Sequence, residues 1–242
     1  MRLDKFLSHT GFGSRKEVKE LLKKKRVTVN GVVNKDGKTN LVLETDEICV
    51  DNEKVIYQEF FYYMLNKPKG VISATEDPSH RTVIDLISQE DLKKGLFPVG
   101  RLDKDTTGLL LITNDGELSH QLLSPKKKVA KVYQAKVAGV MTAEDQEVFA
   151  KGVTISGNES CLPAKLIILE VNELENTCQI ELEIMEGKFH QVKRMVEAVG
   201  KKVVELNRLS MGGLILDNQL KRGSYRSLTE NEIQKLTEKK QK

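Results

Sequence analysis

The apolar positions of this chain change their period several times, and each change marks an element. Leu3, Phe6 and Leu7 fall at helical spacing, and Gly11-Phe12-Gly13 ends that helix. Ser14-Arg15-Lys16-Glu17 opens a second helix with the pattern of a capping box, in which the hydroxyl and the carboxylate satisfy each other's backbone N–H groups. Val18, Leu21 and Leu22 supply its buried face, and Arg15, Lys16, Lys19 and Lys23 lie largely on the other side, several of them one turn apart. Val27-Thr28-Val29 and Val32-Val33 are β-prone, and the Asn30-Gly31 between them is a strong two-residue hairpin signal.

Residues 51–59, with Asp51-Asn52-Glu53-Lys54, read as a polar linker between a unit at 1–50 and a larger one at 60–235 that opens with Phe60-Phe61-Tyr62-Tyr63-Met64-Leu65. Asn66-Lys67-Pro68-Lys69-Gly70 is a predicted turn and 82–87 a short helix. Leu109-Leu110-Leu111-Ile112 is wholly apolar and of the length of a buried strand. Asn114-Asp115-Gly116 turns into a helix carrying Leu118, Leu122 and Leu123, 131–137 alternates as a strand does, and Thr142 can cap a helix to about Lys151. The 177–186 stretch alternates cleanly, with Cys178, Ile180, Leu182 and Ile184 against Gln179, Glu181 and Glu183, which predicts a strand with one dry and one wet face. Val192, Met195, Val196 and Val199 then form one face of a helix stopped by Gly200. A strand over 203–209, a turn at Gly212-Gly213 and a helix from about Thr229 follow, and the lysine-rich tail at 236–242 is expected to fray. Intermixed strands and helices with hairpin-like connections predict an α+β fold: a small N-terminal α/β unit and a mixed, largely antiparallel sheet.

Charge changes this picture. The formal net charge of the 242 residues is +4, yet residues 1–40 hold eleven Lys and Arg against four acids, so the remainder carries −3. A basic arm of this kind suits a partner rich in phosphate. Cys49, Cys161 and Cys178 are odd in number and far apart, which argues against a disulfide scaffold and fits a reducing cytoplasm. His9, His80, His120 and His190 are equally scattered, so no metal site follows from spacing. No apolar run approaches the roughly 20 residues that cross a bilayer, and Met1-Arg2-Leu3-Asp4 opens no apolar signal segment.

The candidate chemistry is concentrated in Gly100-Arg101-Leu102-Asp103-Lys104-Asp105-Thr106-Thr107-Gly108, a polar loop braced by the buried strand after it. Asp103 here, Tyr133 on a strand, and Lys193 and Arg194 at a helix start are the notable polar groups. A carboxylate beside a cation stays ionised and can act as nucleophile or base, and a tyrosine ring offers a flat surface to a nucleobase. Taken singly, each has a plain alternative: Asp103 in a surface turn, Tyr133 as a core aromatic, His190 as a capping residue, Lys193 as a solvated lysine.

Several motifs in order go further. Gly-Arg-Leu-Asp at 100–103 with Thr-Gly-Leu-Leu-Leu after it, Lys-x-Tyr at 131–133 and Gly-Lys-Phe-His-Gln-Val-Lys-Arg-Met at 187–195 resemble the pseudouridine synthases of the RsuA type. The helix–helix–hairpin of the first 50 residues, with Arg-Leu-Asp-Lys and Arg-Val-Thr-Val-Asn-Gly, resembles the S4 RNA-binding domain. The resemblance implies an isomerase that turns a uridine out of ribosomal RNA, detaches its uracil and reattaches it through carbon without a cofactor or metal. It implies Asp103 as the catalytic aspartate, Tyr133 as the ring on the uracil and Lys193 as the partner of the aspartate. Arg101, His190, Gln191 and Arg194, with Arg15, Lys16, Lys19 and Lys23 of the basic helix, are the implied RNA contacts. Small-subunit rRNA, free or in an assembly particle, is the expected target and large-subunit rRNA the alternative; a non-catalytic ribosome-assembly protein is the rival from another class. A cytoplasmic monomer is expected. Lys188 stands where this family more often has arginine, which keeps the charge and loses the bidentate geometry.

Overall fold

The structure is a computed structural model, described here for residues 1–237. The chain forms two compact units, Met1–Phe60 and a second from Phe61 onward, each with its own core.

In the first unit, helices α1 (Leu3–His9) and α2 (Arg15–Lys23) accompany a four-stranded antiparallel sheet. Its strands are β1 (Val27–Val29), β2 (Val32–Val33), β3 (Ile48–Val50) and β4 (Glu53–Lys54), in the order β2-β1-β3-β4. Both arms of the Ser14–Glu17 capping box form. Asn30 and Gly31 both take positive φ, the conformation a tight hairpin turn demands. Leu3, Phe6, Leu7, Val18, Leu22 and Val27 make the core. The stretch expected to be a linker is otherwise employed. Asp51 and Asn52, both at positive φ, turn the β3–β4 hairpin, Arg26 pairs with Asp51, and Val55 and Tyr57 pack on this same core. Its polarity is that of an exposed turn, and the unit continues to Phe60.

The second unit begins with β5 (Tyr62–Lys67), β6 (Phe97–Pro98) and β7 (Thr107–Thr113), then α3 (Gly116–Leu123), β8 (Lys131–Ala138) and α4 (Ala143–Lys151). A small hairpin, β9 (Thr154–Ile155) with β10 (Glu159–Ser160), precedes β11 (Lys165–Asn172), β12 (Thr177–Ile184) and α5 (Gln191–Ala198). The unit closes through β13 (Lys202–Met211), β14 (Leu214–Ile215), β15 (Tyr225–Ser227) and α6 (Glu230–Thr237). The main sheet runs β11-β12-β8-β13-β7-β5-β15, with β14 on β13 and β6 on β7. Every pairing in it is antiparallel except β13 with β7. Of the tail expected at 236–242, Leu236 is buried in α6, and 238–242 lie outside the described residues.

Strand β7 is apolar without alternation because both faces of the sheet are covered there. Leu110 and Ile112 join Tyr63, Leu65, Val192 and Met195 in one core, while Leu109 and Leu111 join Met64, Leu118, Leu122 and Leu236 in the other. Each such leucine withdrawn from water stabilises the fold by roughly 1.5–3 kcal/mol. The strand is thereby anchored on both faces, and so is the downstream end of the loop that feeds it.

The parallel contact between β7 and β13 depends on Gly108. Its φ is +100°, and a Cβ there would lie 2.3 Å from the Arg208 carbonyl oxygen and 2.6 Å from its nitrogen. Backbone cannot yield as a flexible side chain can. Gly108→Ala is therefore expected to cost about 3 kcal/mol or more of stability, measured by the urea midpoint, and to separate the two strands. A loss below about 1 kcal/mol would mean that the two backbones are not in close contact in solution.

Candidate active site

The loop before β7 is held from beneath. Thr106 N–H donates to the Asp103 carbonyl at 3.0 Å, which closes a turn around the carboxylate. Ser73 Oγ donates to the Leu102 carbonyl at 2.9 Å and lies 3.0 Å from the Leu102 N–H, and Gly70 N–H donates to the Lys104 carbonyl at 2.8 Å. The central tie is Lys67, which is fully buried at the end of β5. Its ammonium donates to the carbonyls of Asp103 (3.0 Å), Thr106 (2.9 Å) and Pro68 (3.1 Å). By sequence, Lys67 belongs to a turn; its role becomes visible only when residues 36 and 39 positions later are placed above it.

The opposite wall is the junction of β12 with α5. His190 stands at the N-cap of α5 in the left-handed region (φ 49°, ψ 33°), an uncommon conformation for a non-glycine residue. That geometry lays its ring on Phe189, centroids 3.7 Å apart, and brings Nε2 to 3.3 Å from Asp103 Oδ1. One turn into the helix, Lys193 Nζ lies 3.0 Å from Asp103 Oδ2, and also 2.7 and 2.9 Å from the two carboxylate oxygens of Asp105. Burial works against the Lys193 charge, but the hydrogen bonds to Asp105 and Asp103 outweigh it and hold its pKa above the ordinary lysine value. The hydrogen bond from Lys193 in turn keeps Asp105 below the usual carboxylate range. The expected Asp103–Lys193 pair is thus present, with Asp105 as a third member.

Asp103, His190, Arg101, Lys188 and Tyr133 line one cleft of about 650 Å³. Tyr133 comes from β8, is 8% exposed and forms part of the cleft wall. Arg101 is exposed at the cleft, and Lys188 Nζ is 3.8 Å from Glu159.

Two residues expected to touch RNA have partners within the protein. Gln191 is 4% exposed: its amide oxygen accepts from Lys188 N–H, and its Nε2 donates to Glu186 at 2.9 Å. Its work is to shape the loop that carries His190. Arg194 reaches Ser156, Glu159 and the Phe189 carbonyl, which pins α5 to the β9–β10 hairpin. Arg15, Lys16, Lys19 and Lys23 lie exposed along α2 of the first unit, Lys23 pairing with Glu20 at 2.8 Å. Among the described residues no cluster of three His, Cys, Asp or Glu could hold a metal ion, and no helix is long and apolar enough to cross a membrane.

Residues 61–198 match the family described as RNA pseudouridylate synthase, and residues 1–55 match the S4 domain. The chain belongs to the RNA pseudouridylate synthase family. It is an isomerase of the pseudouridine synthase type with an S4 domain in front. It is 50% identical, over 98% of its length and 99% of the relative's, to an uncharacterized RNA pseudouridine synthase of Bacillus subtilis. A ribosomal small subunit pseudouridine synthase A of Vibrio cholerae is 42% identical, covering 96% of this chain and 98% of that one. A ribosomal large subunit pseudouridine synthase B of Bacillus subtilis is 39% identical, covering 97% and 95%. A crystal structure of a pseudouridylate synthase superposes with a TM-score of 0.67 at 37% identity, covering 98% of this chain and 99% of the other.

In this synthase the Lys67 tie carries a pH signature. Burial pushes its pKa down from 10.5 to about 8, against the opposing charges of Asp103 and Asp105. A lysine whose folded pKa lies below its unfolded one is penalised while charged. The penalty is complete below about pH 8 and is relieved as the pH rises toward 10.5. Relative to Lys67→Met, the wild type should therefore gain up to about 2–3 kcal/mol between pH 7.5 and about 10, measured as the difference in urea stability. A difference that does not change with pH would show that this ammonium is not desolvated.

Proposed function

We propose that the protein converts a uridine of small-subunit ribosomal RNA into pseudouridine, with Asp103 engaging the flipped-out nucleotide. Tyr133 packs on the uracil, and Lys193 pairs with Asp103. The observation that carries this reading is the Asp103 carboxylate, held between Lys193 at 3.0 Å and His190 at 3.3 Å on the wall of the cleft that also contains Tyr133. An ionised carboxylate with a fixed backbone is what an attack on a nucleotide in transit requires. His190 and Arg101 are the cleft's own contacts to the RNA. A stacked uridine is out of reach and must be turned out, at a few kcal/mol. Phosphate contacts from the S4 unit, through Arg15, Lys16, Lys19 and Lys23, offset that and carry no sequence information. The protein works on rRNA or an assembly particle in the cytoplasm, as a monomer.

The name of the Vibrio cholerae relative favours the small subunit, and that of the Bacillus subtilis synthase B, at similar identity, favours the large one. Pseudouridine formation displaces the hydrogen at uracil C5. Separate small- and large-subunit transcripts carrying tritium at C5 therefore test activity and target together, with label expected in water only from the small-subunit RNA.

Asp103→Asn should abolish that release, by 10⁴-fold or more, about 5.4 kcal/mol of barrier, while RNA affinity and stability stay near wild type. Asp115→Asn is the comparison, because Asp115 caps α3 and binds the Tyr62 hydroxyl away from the cleft. Asp105 does not serve, being tied to Lys193. Substantial single-turnover release by Asp103→Asn on bound RNA would remove Asp103 from the chemistry.

Removal of residues 1–60 should leave a folded second unit that binds rRNA more weakly. Its log–log salt dependence should be shallower by about 0.7–0.9 for every phosphate that the S4 unit neutralises in the full chain. An unchanged slope would show that the S4 unit does not grip phosphate.

A further inference from the structure

The floor of the cleft holds two buried cations to which the proposed chemistry gives no part. Lys131 on β8 is 8% exposed and Arg208 on β13 is 2% exposed, and both line the cleft beside Tyr133. Arg208 is the direct cross-strand partner of Tyr133, and Lys131 lies two residues before it on the same face of β8. Neither forms an ion pair among the described residues. Lys131 Nζ donates only to the Val129 carbonyl at 3.0 Å. Arg208 Nε donates to the Leu109 carbonyl at 2.8 Å, and its Nη2 is buried with no partner. Thr106 Oγ1, also on the cleft wall, is likewise buried and unpartnered. The carboxylates that share the cleft are committed elsewhere: Asp103 to Lys193 and His190, and Glu186 to Gln191 and the Leu162 N–H.

Two desolvated positive charges side by side, without a counter-charge, are unfavourable to the fold. Burial and the charge of Arg208 together lower the pKa of Lys131, as expected for cations facing one another. Such an arrangement becomes favourable when an anion enters. The isomerisation makes one in this place. When the N1–C1′ bond breaks heterolytically, the electron pair stays with N1 and uracil leaves as a monoanion, its charge spread over O2 and O4. C1′ is left electron-poor beside the Asp103 carboxylate. After the base turns, its electron pair at C5 forms the C5–C1′ bond, the C5 hydrogen leaves as a proton and N1 takes one up. The product is an isomer, and no oxidant or reductant is needed.

We infer that Lys131 and Arg208 form an anion subsite on the cleft floor that stabilises the detached uracil as its monoanion while it turns over Tyr133. This rests on the pseudouridine synthase reading of the cleft. The subsite acts through charge placed under the base before the bond breaks, the preorganised electrostatics that a low-dielectric site makes strong. A phosphodiester is the other anion the substrate offers, and the test separates the two.

The test is single-turnover conversion by the full chain of rRNA transcripts made with uridine or with 5-fluorouridine, read in nuclease digests as the C5–C1′-linked nucleoside, which for 5-fluorouridine keeps its fluorine at C5 and takes up water at C6. Fluorine makes the base a more stable anion, which needs less help to leave. Lys131→Met should slow the uridine transcript about 100-fold or more at saturating enzyme and slow the 5-fluorouridine transcript at least about tenfold less, with RNA affinity little changed. Lys131→Arg should restore most of the rate. Lys131→Met should also melt at a higher temperature than wild type, since it replaces an unneutralised buried charge with an apolar chain of similar length; this keeps misfolding from imitating the effect. Equal slowing of both transcripts, or no slowing, would overturn the proposal. Weakened RNA binding with the bound rate retained would also overturn it, assigning the pair to a phosphate. Failure of the wild type to convert the uridine transcript would instead sink the synthase reading, and it would be seen before any variant is compared.

Discussion

A single buried ammonium sets the geometry on which this protein's candidate chemistry rests. Lys67 spends all three of its protons on backbone carbonyls, two of them belonging to the loop of Asp103. A carbonyl is a poor hinge once it accepts from a desolvated charge, because breaking that bond strands the ammonium without solvent. The tie therefore fixes the main chain and leaves the Asp103 side chain to answer to its own partners, Lys193 and His190. Rigid backbone with a separately partnered carboxylate is a division of labour: the loop's position is set from beneath and the contacts of its carboxylate from across the cleft.

The sheet serves the same end. With β7 packed on both faces, the loop's downstream end cannot move without opening two cores. The parallel join to β13 brings Arg208 under the cleft, and Gly108 is what lets the two backbones meet. From the far side, α5 presents Lys193 through a junction that needs a left-handed residue, and a histidine occupies it. A strained residue persists where its surroundings over-determine it, and here they do: the stacking on Phe189, the internal bonds of Gln191 and the anchoring of Arg194 all hold the junction.

Much of this is legible in the sequence where one local rule governs. The alternation that forms β12, the Asn-Gly turn between β1 and β2, the Ser14 and Thr142 caps and the unbroken apolar run of β7 each follow from neighbours along the chain. The pairing of Asp103 with Lys193, 90 residues apart, follows from resemblance, since no local pattern states it. What stays hidden depends on contacts that spacing does not encode. Lys67 looks like any lysine before a proline until a loop closes over it. Arg208 and Lys131 sit in strands where an exposed cation would be ordinary. Gln191 and Arg194 have the chemistry of RNA ligands, yet burial commits Gln191 to internal partners and an ion pair with Glu159 engages the half-buried Arg194. The polar run at 51–59 reads as a linker because a surface hairpin turn and a linker share the same composition.

The order of the strands in space also bears on how the enzyme comes into being. β5, which opens the second unit and ends in Lys67, has as its outer neighbour β15, which follows every other strand of the sheet in chain order. Until Tyr225–Ser227 emerge from the ribosome, that edge of β5 is bare, and β13, which lends Arg208 to the cleft, appears only shortly before. The second unit can therefore close its sheet only once all of its strands have been made. The edge of β5 that ends in Lys67 is thus closed by the strand made last.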